Sequence, residues 1–212
     1  MAETRVLGIA EDPGLGFTVE TSHGTFHADA LVVTADSWTN EVLAPLGVSL
    51  PLRLLQEQVT YFDAADPGAF EPAAFPVWIW HRTPPVYGLP AFGRPGPKVA
   101  LHGGGPEVTP ESRTFEPDPG YAAVVERFVR EHLPAAYGPP VEVRTCMYAL
   151  TPDEDFVLDL IPGFERASLA IGTGHGFKFA SVFGRTLIEL AYDGASPWRL
   201  AAFAADRVAL AP

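Results

Sequence analysis

The sequence has little cysteine, little lysine and no long apolar run, and each scarcity excludes a class of protein. Cys146 is the single cysteine among 212 residues, which rules out an internal disulfide and a multi-cysteine metal site. No stretch approaches the roughly 18 apolar residues of a membrane-spanning helix. The first residues, Met1 to Arg5, lack the basic and apolar regions of a signal peptide. We therefore expect a cytoplasmic protein with no membrane partner.

Basic residues are also scarce, since 14 Lys and Arg face 26 Asp and Glu, a net charge of −12. This surface argues against nucleic acid or anionic lipid as the main partner. Only two of the basic residues are lysines, Lys98 and Lys178. Lysine offers a compact charge and a removable proton, which arginine does not. The two lysines therefore either serve sites that require these properties or are ordinary surface charges.

Hydrophobic residues make up 47% of the chain, enough for a packed core. Alternating apolar residues near the amino terminus predict short strands, and the run 30–35 predicts a parallel strand buried on both faces. Asp36 or Ser37 is expected to cap a short helix that ends near Gly47.

The middle of the chain predicts a mostly antiparallel sheet, because turn residues separate its apolar segments. Asp118 and Pro119 predict the start of a helix that closes before Pro134. Three more strands, a glycine loop and a long helix follow. The predicted strands of these two parts are 52–62, 76–80, 86–89, 98–102, 141–149, 156–160 and 168–171. This mixture indicates an α/β or α+β fold.

A glycine loop, Gly172–Gly176, lies between the last predicted strand and the long helix. A strand, a glycine turn and a helix start present backbone N–H groups to an anion or a carbonyl. The loop is not the dinucleotide fingerprint, because Phe177 stands where the third glycine belongs. The alternative is a tight turn that merely requires glycine. The small residues 180, 181 and 184 of the predicted helix suggest a bulky neighbour.

Three segments, in order along the chain, carry a family resemblance. They are Tyr87–Gly93 with Lys98 and His102, then Thr145–Phe156, then Gly174–Ser181. These segments resemble the C-terminal half of flavin-dependent amine oxidases of the monomeric sarcosine oxidase and N-methyltryptophan oxidase type. The resemblance extends from about residue 6 to residue 210.

The resemblance implies FAD as the cofactor, bound covalently through Cys146 to the 8α-methyl group of the flavin. Tyr148, two residues further along the strand, is expected on the same side of it. The resemblance also places the loop residues Gly174, His175 and Gly176 beside the flavin, with Lys178 next to them.

The resemblance implies three catalytic residues, Lys98, His102 and Tyr87. Lys98 matches the lysine that activates O₂ near flavin N5, and Tyr87 and His102 match residues that surround the substrate. Lys178 matches the lysine that pairs with the substrate carboxylate. The implied partners are a small amino acid, such as sarcosine or another N-methyl amino acid, and O₂, with an imine and H₂O₂ as products.

The implied fold is the C-terminal part of a glutathione-reductase-like FAD-binding domain plus an antiparallel substrate domain. Residues 1–47 would belong to the FAD-binding domain, 48–140 to the substrate domain, and 141–212 to the FAD-binding domain again. The family's N-terminal dinucleotide-binding βαβ unit has no match here, so we expect a missing N-terminal half as a possible partner. A second departure is Asp36-Ser37, where relatives have Gly-Ala.

Two other interpretations remain open at the level of sequence. The chain could be a truncated or split half with no activity alone. It could also be an amino-acid-binding module without redox chemistry.

Overall fold

The computed structural model describes residues 1–210, which form two compact units. The chain builds one unit from its beginning to Leu54, leaves it, and returns at Tyr148. We call this the discontinuous unit. The segment Leu55–Met147 forms the other, the inserted unit.

Groups of consecutive strands, separated by single helices, follow one another along the chain. In chain order they are β1 Val6–Asp12, β2 Gly16–Thr21, β3 Gly24–Ala28, β4 Leu31–Val33, α1 Thr39–Leu43, β5 Arg53–Phe62, β6 Trp78–Trp80, β7 Val86–Leu89, β8 Lys98–Leu101, α2 Pro119–His132, β9 Pro140–Leu150, β10 Val157–Leu160, β11 Ala167–Ile171 and α3 Ala180–Asp193. Short 3₁₀ turns add Asp36–Trp38, Ala44–Leu46, Pro67–Phe70, Pro134–Ala136, Gly176–Phe179, Ala201–Phe203 and Val208–Leu210. The predicted mixture of helices and mostly antiparallel strands is confirmed.

The discontinuous unit contains two three-stranded sheets. β1, β2 and β3 form an antiparallel meander, and the second sheet has the order β10-β11-β4. β4 runs parallel to β11, as the apolar run 30–35 predicted. The predicted burial on both faces is wrong, because Val33 is buried whereas Val32 is 38% exposed. Among residues 1–210, no side chain fully covers the face of β4 that carries Val32.

The core of the discontinuous unit centres on β11, whose five residues are all buried. Leu169 and Ile171 share one apolar cluster with Phe17 and Leu43. A smaller cluster joins Leu187 of α3 to Ala170 and Leu158. This packing fixes the position of β11, and with it the start of the glycine loop.

The spacing of apolar and small residues in the sequence predicts one helix face that includes Phe177, Leu187, Ile188 and Ala191, and the structure agrees with it only in part. Leu187, Leu190 and Ala191 are buried, but Phe177 is 94% exposed and Ile188 is 52% exposed. A Cβ added at Gly184 would meet nothing within 4 Å, so no bulky group lies there among residues 1–210. Phe177 lies in the 3₁₀ turn before α3 and not in the helix itself.

The region after β4 also corrects a prediction. Asp36 and Ser37 lie inside a 3₁₀ turn that leads into α1, and neither this turn nor α1 has a side-chain cap. Asp36 itself has a positive φ of 44°. The predicted end near Gly47 is confirmed, since Gly47 adopts the left-handed conformation there.

The inserted unit is built on a five-stranded sheet with the order β6-β7-β8-β5-β9. The helix α2 begins as predicted, with the Asp118 carboxylate accepting the N–H groups of Gly120 and Tyr121. An apolar cluster joins the sheet to this helix and includes Phe62, Val86, Val99, Leu101, Tyr121, Val125, Phe128 and Val129. Side chains alternate along a strand, so the strand neighbours of Val86, Val99 and Leu101 point away from α2, to the opposite face of the sheet.

Candidate active site

The opposite face of β7 and β8 carries the three predicted catalytic residues. Tyr87 pairs with Ala100, and Leu89 pairs with Lys98, so Tyr87 and Lys98 share one face of the sheet. The Lys98 ammonium lies 5.2 Å from the centre of the Tyr87 ring. The rings of Tyr87 and His102 meet edge to face at 5.9 Å. The structure therefore brings Tyr87, Lys98 and His102 together.

Lys98 is half-buried at the start of β8. Burial lowers its pKa below the ordinary lysine value, because the charged form loses hydration, and the thiolate of Cys146 opposes this shift. The cation–π contact with Tyr87 stabilises the charged form. The ammonium is thus a compact positive charge in partly dry surroundings, where its field is stronger than in water.

Cys146 lies on β9, is half-buried and forms no disulfide. Burial raises the pKa of its thiol, and the negative charge of Glu57 raises it further. The charges of Lys98 and Arg113 act in the other direction and favour the thiolate. The cysteine is therefore in electrostatic contact with a predicted catalytic lysine, and it is not an isolated apolar residue.

Glu57 is a buried carboxylate that sequence reasoning missed, with 2% of its surface exposed. Its two oxygens accept the N–H of Gly105 and the hydroxyl of Tyr121, each at 3.1 Å. Burial raises the pKa of Glu57, while these hydrogen bonds and the charge of His102 lower it. The available sequence signal was an acidic residue in the interior of the predicted strand 52–62.

The glycine loop belongs to the discontinuous unit and follows β11. Gly174 has a φ of +77°, and a Cβ there would lie 2.3 Å from the ring of Tyr148. The backbone of Gly174 therefore packs directly on Tyr148, which brings two predicted cofactor-binding residues together. Only glycine fits this position, because both the conformation and the contact exclude a side chain.

Lys178 and His175 contact each other at the end of this loop. The Lys178 ammonium donates to the carbonyl oxygen of His175 at 2.8 Å and lies 3.2 Å from His175 Nδ1. The ring of His175 packs on Phe156 at 4.9 Å. Lys178 lies in the 3₁₀ turn Gly176–Phe179, before α3 begins. Lys178 therefore lies two residues before the first residue of α3.

Asp36 lies where the parallel strands β4 and β11 end side by side. Burial raises the pKa of this carboxyl group, and the N–H groups of Gly172 and Ser37 bond to it and lower its pKa. Asp36, the acidic residue that stands where relatives have glycine, is therefore hydrogen-bonded to Gly172, the first residue of the glycine loop.

Two kinds of structural feature are absent from residues 1–210. In this part of the chain, no helix is long and apolar enough to cross a membrane. The same residues contain no cluster of three or more His, Cys, Asp or Glu side chains that could hold a metal ion.

Relatives of known function match most of the chain. The peroxisomal sarcosine oxidase of Homo sapiens is 39% identical over 204 residues, which cover 92% of this chain and 52% of the relative. The monomeric sarcosine oxidase of Bacillus sp. (strain NS-129) is 34% identical, covering 91% of this chain and 51% of the relative. The chain thus spans about half the length of the curated relatives it matches.

Solved structures agree with this relationship. NikD, described as an unusual amino acid oxidase essential for nikkomycin biosynthesis, matches with a TM-score of 0.79 and 25% identity. The match covers 95% of this chain and 54% of NikD. The family described as DAO, FAD dependent oxidoreductase, matches residues 1–190. The resemblance read from the three segments is confirmed, and the chain belongs to the DAO family of FAD-dependent oxidoreductases.

Proposed function

We propose that this chain supplies catalytic and flavin-binding residues of an FAD-dependent oxidase that acts on secondary amino acids. The substrate is sarcosine or another N-methyl amino acid, O₂ is the oxidant, and the products are an imine and H₂O₂. The observation that carries the proposal is the cluster of Tyr87, Lys98 and His102, with Cys146 in electrostatic contact with Lys98. Substrate class and oxidant come from the relatives, which are named sarcosine oxidases.

The chemistry of the residues present is compatible with a bound flavin. Cys146 is a free thiol with no other cysteine in the chain to compete for it. Burial and the charge of Glu57 raise the pKa of this thiol, while Lys98 and Arg113 act against that rise and favour the thiolate, the form that adds to an electrophilic carbon. Bound FAD would accept the hydride of the substrate's C–H bond and pass the electrons to O₂.

Each residue then has a distinct role. Lys98 holds a positive charge where O₂ gains negative charge, and preorganised charge of this kind lowers the barrier to reduction. Lys178 is exposed and carries an ammonium for the substrate carboxylate. Tyr87 and His102 position the substrate, and the sheet behind them is rigid because α2 fills its other face. The backbone of Gly174 and Gly176 borders the flavin.

The test is oxidation of sarcosine by this chain joined to an N-terminal FAD-binding half. We expect sarcosine to bleach the flavin without O₂, and readmission of O₂ to restore the colour with one H₂O₂ per turnover. Glycine, which lacks the N-methyl group, is the matched control and should react far more slowly. A flavin-loaded protein that no secondary amino acid reduces would contradict the proposal.

A further inference from the structure

His102 lies just past the end of β8, and both polar groups of the peptide bond before it are held. Its N–H donates to the carbonyl oxygen of Pro85 at 2.9 Å. The carbonyl oxygen of Leu101, in the same peptide bond, accepts the hydroxyl of Tyr121 at 3.1 Å. Because a peptide bond is planar, these two bonds fix the direction in which the His102 side chain leaves the backbone. That direction brings its ring against Tyr87.

The chain after His102 contributes little stiffness of its own. Gly103 and Gly104 have positive φ angles of 85° and 97°, and a Cβ at either would meet nothing within 4 Å. Glycine has wide conformational freedom, so these two residues do not hold His102 in place. The chain is held again at Gly105, whose N–H donates to Glu57 Oε1 at 3.1 Å. Beyond Gly105 the backbone pairs with β5.

Glu57 connects the points that are held on the two sides of His102. Its other oxygen, Oε2, lies 3.1 Å from the hydroxyl of Tyr121, the group that also bonds to Leu101. Glu57 is 2% exposed and Tyr121 is 8% exposed, so water competes little for these bonds. A buried polar group that loses its partner costs more than the bond itself contributes. Removing either side chain should therefore loosen the backbone at His102.

The start of α2 fixes the place from which Tyr121 reaches Leu101. The side chain of Gln58, the residue after Glu57, accepts the N–H of Asp118 at 2.7 Å and donates to its carbonyl oxygen at 3.4 Å. Asp118 in turn caps α2. Two consecutive buried residues of β5 thus hold the helix start and the tyrosine hydroxyl. Burying such polar side chains in a strand is unfavourable for packing alone, which indicates that their hydrogen bonds are what matters.

We propose that Glu57 and Tyr121 are positioning residues for His102, and that their hydrogen bonds, not the charge of Glu57, hold the histidine ring where the substrate meets it. This inference rests on the proposed function, in which His102 and Tyr87 position the substrate. A ring that is already held in one orientation binds substrate with a smaller loss of entropy. Loosening the ring should therefore weaken substrate binding and leave the reaction of the reduced flavin with O₂ unchanged.

The first measurement requires neither flavin nor substrate. In the 212-residue chain, NMR measures the nuclear Overhauser effect between the rings of His102 and Tyr87, with His102→Gln to assign the signal. Glu57→Leu and Tyr121→Phe should weaken this effect. Glu57→Gln should retain it, because the amide keeps a partner for each bond without the charge. Thr60→Val is the matched control on β5, because the buried Thr60 hydroxyl has no hydrogen-bond partner among residues 1–210.

The second measurement follows the two half-reactions by stopped flow in the chain joined to an N-terminal FAD-binding half. Glu57→Leu and Tyr121→Phe should raise the sarcosine concentration for half-maximal flavin reduction by about threefold to tenfold, the effect of losing one buried hydrogen bond. Glu57→Gln and Thr60→Val should behave like the unmodified protein. Reoxidation by O₂ should be unchanged in all four variants. A general disturbance of the sheet would slow reoxidation as well, because Lys98 lies on the same strand as Leu101.

The outcomes separate this inference from the proposed function. An unchanged ring contact, or an unchanged sarcosine requirement, in Tyr121→Phe would overturn it. Glu57→Gln as impaired as Glu57→Leu would overturn it too, because the charge would then be what matters. Circular dichroism shows whether each variant folds, and Tyr121→Phe, which loses only a hydroxyl, decides the matter if Glu57→Leu does not. A ring contact that weakens as expected, in a protein that sarcosine never reduces, would support the positioning role and contradict the proposed function.

Discussion

At the scale of single residues, the two lysines of the chain occupy different surroundings. Lys98 is half-buried against the Tyr87 ring, and burial lowers its pKa. Lys178 is exposed and donates to the carbonyl oxygen of His175. A buried charge stabilises charge that develops nearby, whereas an exposed ammonium at a loop is suited to an incoming carboxylate. The two lysines should therefore affect different steps.

Lys98→Met removes the charge and keeps most of the side chain, so it should affect reoxidation more than reduction. We expect reoxidation of the reduced flavin by O₂ to slow on the order of a hundredfold, as for the loss of other preorganised charges. Reduction by substrate without O₂ should fall much less. Stopped-flow absorbance of each half-reaction measures both effects. Equal losses in the two half-reactions would show that Lys98 has a structural role only.

Lys178→Met is the matched variant, because it makes the same substitution at the other lysine. It should weaken substrate binding, seen as a higher substrate concentration for half-maximal reduction. Reoxidation of the reduced flavin should be largely unchanged. A loss in reoxidation equal to that of Lys98→Met would contradict the separate roles.

The ion pair between Asp153 and Arg207 predicts how the free energy of unfolding depends on pH. Two Arg207 nitrogens donate to the two carboxylate oxygens of Asp153 at 2.7 and 2.8 Å. These bonds hold the pKa of Asp153 well below its usual value. The folded state therefore favours the ionised form. The resulting stability is present above about pH 4, the ordinary pKa range of an aspartate, and is lost as pH falls below it.

Asp153→Asn should therefore lower the free energy of unfolding by about 1–2 kcal/mol at pH 7. The difference from the unmodified chain should shrink at pH 3. Asp36 and Glu57, whose pKa values are raised, act with the opposite sign but are present in both proteins. Urea unfolding at the two pH values measures the effect, with the exposed Asp29→Asn as control. A difference that is independent of pH would refute the assignment.

At the scale of elements, alanine substitutions at two glycines of the C-terminal region should have opposite effects on the free energy of unfolding. Gly174→Ala forces a side chain into a positive φ and against the Tyr148 ring, so it should destabilise the protein by about 2 kcal/mol or more. Gly184→Ala places a methyl group in open space on α3 and should stabilise it by about 0.5–1 kcal/mol. Urea unfolding compares the two. Similar effects from both would mean that the Gly174–Tyr148 contact is not tight.

Elements with a strong local signal could be predicted from the sequence. Val86–Leu89 is a strand that the separating turn residues indicated, and Asp118 caps α2 because its carboxylate lies next to the first free N–H groups. The cap expected at Asp36 or Ser37 does not form, because these residues lie inside a 3₁₀ turn. Leu187 and Ala191 of α3 are buried as periodicity predicted, whereas Ile188, which periodicity placed on the same face, is exposed.

The candidate site residues also divide into those that the sequence could predict and those that only the fold reveals. Lys98, Tyr87, His102 and Cys146 could be named from ordered motifs, and the structure brings their side chains into contact or electrostatic range. Glu57 and Tyr121 could not be named in this way. Their roles depend on long-range contacts, such as the Tyr121 hydroxyl on Glu57, 64 positions apart in sequence. Pairing of this kind follows from the fold and leaves no periodic pattern.

At the scale of the whole molecule, the discontinuous unit exposes large apolar side chains. On or beside α3 these include Phe177, Val182, Ile188, Tyr192 and Trp198, each at least 48% exposed. Apolar surface in this amount favours association with another surface. The dinucleotide fingerprint is also missing from these 212 residues. We therefore expect the chain alone to bind little FAD, since contacts with the pyrophosphate contribute much of the affinity.

The central claim, that this chain carries the covalent attachment point of the flavin, is tested most directly by mass spectrometry. The chain joined to an N-terminal FAD-binding half is incubated with FAD, precipitated in acid and digested. We predict flavin on the peptide that contains Cys146, and none in Cys146→Ser, because a hydroxyl is a far poorer nucleophile than a thiol at neutral pH. Flavin that acid removes completely from the unmodified protein, or that stays attached in Cys146→Ser, would contradict the account.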